Sequence, residues 1–106
     1  MELALKAIAE PRRRAILQLV RDDELASGEI ARQFDVTGPA ISQHLGVLKE
    51  AGLVTERRDG TRRLYRARPQ GLADLRQFID DFWDDSLDRL RTVAEAAQRA
   101  KEQSDG

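Results

Sequence analysis

The chain has 106 residues, 35% of them charged, with a formal net charge of −1 and no cysteine. That length builds one modest core, and the lack of cysteine excludes disulfides, thiolate metal centres and cysteine nucleophiles. No run of about 18 apolar residues is present to span a bilayer, and the N-terminal MELALKAIAEPRRR places its basic cluster after the apolar stretch, the reverse of a secretory signal.

Leu3, Ala4, Ala7 and Ile8 recur at helical spacing and predict a short helix over 2–9. Pro11 breaks it and opens the next, because proline is tolerated in a first turn. Ile16, Leu17, Leu19 and Val20 give 12–21 an apolar stripe that Asp22-Asp23 ends. Ser27 reads as an N-cap with Glu29 in the first turn beside the positive end of the helix dipole. Ile30, Ala31 and Phe34 then give about two turns. Asp35-Val36 makes a tight turn and Thr37 caps again. Over 38–50, Ile41, Leu45 and Leu48 fall at i, i+4, i+7, one buried stripe. Gly52 stands where a left-handed C-cap is wanted.

Beyond Gly52 the period changes to two. Leu53–Arg58, Asp59-Gly60 and Thr61–Arg68 read as a β-hairpin with Asp-Gly at its tip, Tyr65 and Ala67 pointing inward. Pro69 and Gly71 close it. A long helix follows over about 71–100, with Leu72, Leu75, Ile79, Phe82/Trp83, Leu87, Leu90, Ala94 and Ala97 spaced by threes and fours. A stripe roughly 45 Å long exceeds what so small a domain can cover by itself. Residues 101–106 are polar and expected to fray. The fold class expected is mainly α with a small β-hairpin wing, a winged helix with an added C-terminal helix, as one domain over 1–106.

The charge is unevenly spread. Residues 1–68 carry 13 Lys/Arg against 10 Asp/Glu, residues 69–106 carry 5 against 9, and 57–68 alone hold six arginines and one acid. Such a basic body can bind DNA despite the mean charge. Two capped helices joined by a short turn form a helix-turn-helix over 27–50. The second helix has one anchoring stripe and otherwise small or hydrogen-bonding residues: Gly38, Pro39, Ser42, Gln43 and Gly46. Small residues allow close approach to the groove, Gln43 suits adenine, Ser42 suits a base edge or phosphate, and Lys49 suits phosphate. Thr37 and His44 border this set. Arg57, Arg58, Arg62 and Arg63 flank the hairpin tip, placed to straddle a backbone and reach a minor groove. Arg12, Arg13 and Arg14 crowd a helix N-terminus, where the dipole disfavours cations; phosphate, with Arg13 as the contact, or Glu10, Asp22 and Asp23 are the partners expected.

The stretch EPRRRAILQLV and SGEIARQFDVTGPAISQHLGVLKEAGLVTERRDGTRRLYRARPQGL resembles the winged-helix repressors of the arsenical-resistance (ArsR) type. The likeness runs over about residues 3–83. It implies a homodimer built from the first and last helices, binding an inverted-repeat operator and repressing nearby genes, often its own. The interface residues so implied are Leu3, Leu5, Ile8, Leu75, Ile79, Phe82, Trp83, Leu87, Leu90 and Ala94. Asp35 stands where such turns commonly have glycine and would tolerate a left-handed backbone. The family's metal sensors use cysteines or a His/acid cluster, which this chain lacks, since its one histidine is His44. No metal, cofactor or catalytic residue is expected; the chain has no nucleophile–base pair and no Gly-rich phosphate loop, so it is not read as an enzyme. The partners expected are double-stranded operator DNA and a second copy, with no membrane, in a prokaryotic cytoplasm. Two alternatives stay open: a dimeric protein-interaction scaffold without specific DNA binding, and a regulator responding to a hard cation through Asp80, Asp81, Asp84, Asp85 and Asp88.

Overall fold

The computed structural model describes residues 1–104. Its elements are α1 (Glu2–Ala9), α2 (Pro11–Val20), β1 (Leu25–Ala26), α3 (Ser27–Arg32), α4 (Gly38–Glu50), β2 (Val54–Asp59), β3 (Arg62–Ala67) and α5 (Pro69–Ser104). The chain forms two compact units that divide within α5, one over Met1–Leu75 and one from Arg76 onward. The single domain expected from length thus resolves into a winged-helix body and a helical arm.

In the body, apolar periodicity becomes packing. Ile16, Val20, Ile30, Ile41, Leu45, Leu48 and Leu53 are fully buried, and Val54, Tyr65, Ala67 and Leu75 close the same cluster. Each such aliphatic side chain is worth about 1.5–3 kcal/mol relative to exposure. All three members of the stripe on α4 are at 0% exposure, so the orientation of that helix is set by its burial.

The strands form one antiparallel sheet in the order β1-β3-β2. Strand β1 has no signature in the sequence. Its two residues pair Leu25 with Tyr65 and Ala26 with Leu64, and this third strand covers Leu64, which alternation alone would have left outside. Between β2 and β3 the last pair is Asp59 with Arg62, so the two-residue loop is Gly60-Thr61, one position later than the expected Asp59-Gly60. Gly60 carries φ +64° and no non-glycine residue described has positive φ, which fits a type II′ turn rather than I′. Asp35 likewise needs no left-handed backbone.

Helix ends follow local chemistry. Helix α3 begins at Ser27, one residue earlier than a Ser27 cap would give; Ala26 takes the cap position, and its N–H donates to the Glu29 carboxylate at 3.2 Å. Thr37 Oγ1 accepts from the Ala40 N–H at 3.3 Å, as expected of a cap. At the far end of α4, Gly52 at φ +75° donates to the Lys49 carbonyl and Leu53 donates to the Leu48 carbonyl, both at 3.0 Å. That pair of bonds is a Schellman motif, with buried Leu53 as its apolar contact. Helix α5 runs on through Ser104, beyond the expected end near 100, and the rest of the expected frayed tail, 105–106, lies outside the described residues.

Gly71, in the first turn of α5, meets this cap. A Cβ there would stand 1.9 Å from the Gly52 carbonyl oxygen, and both partners are backbone. The substitution Gly71→Ala therefore lowers stability by about 1–3 kcal/mol through overpacking. Urea denaturation followed by circular dichroism checks this, and an unchanged midpoint would show that the two backbones part freely.

Candidate nucleic-acid interface

With about 100° between successive residues, the buried stripe of α4 leaves an opposite arc of roughly 140° uncovered. In angular order this arc holds Gly38, Lys49, Ser42, Gly46, Pro39, Glu50 and Gln43, all exposed. Ser42 and Gly46 lie near its middle. Within 4 Å of a Cβ built on Gly38 or Gly46 there is nothing, so the protein itself does not require glycine at either position. His44 is half-buried beside the stripe, about 100° beyond Gln43 and nearly opposite the middle of the arc, so it does not border the exposed set as expected, and Thr37 is exposed at the helix start with its hydroxyl engaged as the cap.

Four arginines flank the tip of the hairpin, and their pairing is the main thing the sequence did not disclose. The Arg57 guanidinium grips Glu24 with two hydrogen bonds, the Nε bond at 3.2 Å. Arg62 binds Glu29, the carboxylate that also caps α3. Arg63 has a long contact of 3.8 Å to Glu56. Arg58 has no ion pair among the described residues. The Arg57 hydrogen bonds hold the Glu24 carboxyl below its usual range despite some desolvation, and Glu24 in turn raises Arg57.

Glu56 ties the wing to α4. Its Oε2 accepts from Lys49 Nζ at 3.4 Å and from the Tyr65 hydroxyl at 3.1 Å. Burial pushes this carboxyl up, but the Tyr65 hydroxyl, Lys49 and Arg63 together outweigh it and hold it below the usual range. Burial and Glu56 together raise the Tyr65 phenol. A depressed carboxyl contributes stability above its ordinary titration range and loses it as pH falls through the depressed value. Acid therefore loosens the link between helix and wing. Lys49, expected to be free for phosphate, is in part committed to this link.

The arginines at the start of α2 have partners other than those expected. Arg13 donates to the Ala7 carbonyl at 2.7 Å and the Lys6 carbonyl at 3.0 Å, and Arg14 donates to the Ile8 carbonyl at 2.7 Å. Both cations cap the C-terminal end of α1, where the dipole is negative and favours them. Arg12 lies over the Phe34 ring, 5.0 Å from its centroid. Asp22 pairs with Arg21 instead.

Along the arm, Ile79, Phe82, Trp83, Leu87 and Leu90 are exposed, together with Phe78 and Val93, which lie outside the expected stripe. Ala94 is exposed as well. Leu75 departs from the expected interface: at 6% exposure it belongs to the core of its own protomer and is not offered to a partner. Leu5 and Ile8 are half-buried against that core, while Leu3 is exposed. The aspartates of α5 are held apart: Asp80 pairs with Arg76, Asp88 with Arg91, and Asp81 accepts from Gln77. Among the described residues no three His, Asp or Glu side chains converge into a cation-sized group. No helix described is long and apolar enough to cross a membrane.

Comparison with known proteins agrees with this architecture. A family model described as a helix-turn-helix domain matches residues 8–57. The HTH-type transcriptional regulator Rv2034 of Mycobacterium tuberculosis is 50% identical over 84 residues, covering 79% of this chain and 78% of that protein. A crystal structure described as a possible transcriptional regulator for arsenical resistance superposes with a TM-score of 0.74 at 53% identity, covering 82% of this chain and 91% of the other. The homodimeric winged helix-turn-helix DNA-binding domain Mb0332 of Mycobacterium bovis, described as a possible ArsR-family regulator, superposes with a TM-score of 0.65 at 35% identity, covering 78% and 77%. The uncovered polar arc of α4, the arginine wing beside it and these likenesses lead to one conclusion: the chain belongs to the ArsR-type winged helix-turn-helix transcriptional regulators.

Proposed function

We propose that the chain is a homodimeric repressor that seats α4 of each protomer in the major groove of an inverted-repeat operator. The observation that carries this is the uncovered arc of α4, polar and glycine-bearing, beside an arginine-rich hairpin. Ser42 and Gln43 supply hydrogen-bonding groups for base edges. Thr37, Gly38, Pro39 and Gly46 shape the approach, His44 is left out because it lies on the far side of α4, and Lys49 with the wing faces the sugar-phosphate backbone and the adjacent minor groove. Arg13 is left out of this set because its guanidinium caps α1.

A second copy is the occupant proposed for the apolar stripe of α5. Phe82, Trp83, Leu87 and Leu90 are all large and exposed, and a contiguous run of such residues marks an association surface. A two-fold dimer presents two reading helices and so matches an inverted repeat with half-sites about one helical turn apart. The dimer seated on a promoter blocks polymerase, which makes repression of neighbouring genes, and of its own, the simplest outcome. Its place of action is the prokaryotic cytoplasm, on the nucleoid.

Footprinting on the duplex upstream of the gene tests the reading. Protection of a short inverted repeat is expected, with affinity falling steeply as salt rises; binding no tighter than to random duplex at moderate salt would sink it. Leu87→Glu combined with Leu90→Glu yields monomers by light scattering and abolishes operator binding, whereas a dimeric double variant would place the interface elsewhere. Gly46→Ala separates reading from folding. In an exposed helix interior the change stabilises by about 1 kcal/mol, seen as a higher Tm. In the groove the added methyl weakens operator binding by about a hundredfold, the scale of one lost base contact in each half-site. Unchanged affinity by fluorescence anisotropy would remove Gly46 from the reading face.

A further inference from the structure

We infer that the four arginines flanking the tip of the wing divide between two tasks: Arg58 and Arg63 carry the contact with DNA, while Arg57 and Arg62 are positioning residues locked by Glu24 and Glu29. This rests on the operator-binding reading and specifies which part of the wing does the binding.

Exposure does not separate the four, since the Arg57, Arg62 and Arg63 side chains are 58%, 56% and 54% exposed. Pairing and strand register do. In the antiparallel ladder Arg58 stands opposite Arg63 and Glu56 opposite Tyr65. Side chains two apart on a strand share a face, so these four lie on one side of the hairpin. That side meets α4 through the bond from Lys49 to Glu56. Arg58 and Arg63 therefore continue, toward the hairpin tip, the same side that holds the reading helix. Arg58 is unpaired among the described residues, and Arg63 is held loosely, by a 3.8 Å contact to a carboxylate shared with Lys49 and Tyr65 and by the Tyr65 hydroxyl beside it, with no bidentate pair.

Arg57 and Arg62 alternate onto the other face. There Arg57 holds Glu24, which directly precedes β1, through two hydrogen bonds, and Arg62 holds Glu29 in the first turn of α3. Bidentate charge-assisted pairs are geometrically specific. Both acids sit on the body of the fold, so each pair ties one strand of the hairpin to it: β2 through Arg57 and β3 through Arg62. Glu29 is doubly committed, because the same carboxylate oxygen accepts the Ala26 N–H. An arginine that left its acid for a phosphate would expose a bare carboxylate close to DNA, trading one ion pair for another plus a repulsion. Paired, each couple presents no net charge to the duplex and acts through the angle at which it holds the hairpin.

The test uses the full chain, the upstream duplex and titrations between about 50 and 200 mM salt. Circular dichroism melting confirms that each variant is folded. Arg58→Ala and Arg63→Ala each weaken binding about fivefold and reduce the slope of log K against log salt by about 1.8, one phosphate from each protomer of the dimer. Arg57→Ala and Arg62→Ala leave the slope unchanged. Arg57→Ala and Glu24→Gln weaken binding by similar factors, and the double variant is no worse than either alone. The charge swap of Glu24→Arg with Arg57→Glu restores affinity, which a residue that itself touched phosphate would not permit. The assignment is overturned if Arg57→Ala or Arg62→Ala flattens the slope as Arg58→Ala does. It is equally overturned if Glu24→Gln or Glu29→Gln tightens binding, since a freed arginine would then be reaching DNA. Failure of the wild-type chain to prefer the upstream duplex over random duplex is a different result, and it removes the operator reading itself.

Discussion

Burial of one side of α4 is the constraint from which the rest of the body follows. Ile41, Leu45 and Leu48 are wholly withdrawn from water, and together they are worth several kcal/mol, a large share of the stability of a domain this size. Rotating the helix by even one residue would expose part of that stripe. The rotation is therefore set, and with it the identity of the residues that face outward. The face turned to solvent is determined by what the opposite face must hide.

The C-terminal cap of α4 passes this orientation on to the wing. The Schellman bonds at Gly52 and Leu53 turn the chain sharply, drive Leu53 into the core and deliver β2 beside the helix it has just left. Glu56, three residues later, then reaches Lys49 and Tyr65 at once. The close approach of Gly71 to the Gly52 carbonyl packs the first turn of α5 on the same corner. Helix, wing and the start of the last helix thus share one junction, whose geometry depends on two glycines used for different reasons. Gly52 provides a positive φ, and Gly71 provides the absence of a side chain.

Electrostatics in the body work by selective neutralisation. A net count of arginines overstates the charge available to a partner, because acids distant in sequence close over some of them. Glu24 and Glu29 each stand 33 residues from the arginine they hold. Arg13 and Arg14 satisfy the carbonyl end of α1. Fewer arginines are therefore left without a partner than the sequence count suggests. The arm beyond Leu75 follows the opposite logic: Asp80, Asp81 and Asp88 each take a partner three or four residues away on the same helix, and its large apolar residues stay exposed.

Local patterns determined much of this protein. Spacing of apolar residues, proline and capping residues place all five helices, and Thr37 and Gly52 bound α4 because caps and left-handed turns depend on a residue and its near neighbours. The exposed polar arc of α4 was legible for the same reason: once Ile41, Leu45 and Leu48 are assigned inward, helical geometry assigns the remainder. Strand β1 was not legible, because two residues carry no period and only a partner strand makes them a strand. The hairpin loop slipped by one residue because β-strand pairing, and not the turn dipeptide alone, selects the register. Leu75 has the spacing of the α5 stripe yet lies in the body's core, since periodicity reports a face and not what covers it. The division of the wing's arginines came from the tertiary structure alone. An ion pair depends on which carboxylate the fold brings within reach, and no local rule connects Arg57 to Glu24 or Arg62 to Glu29.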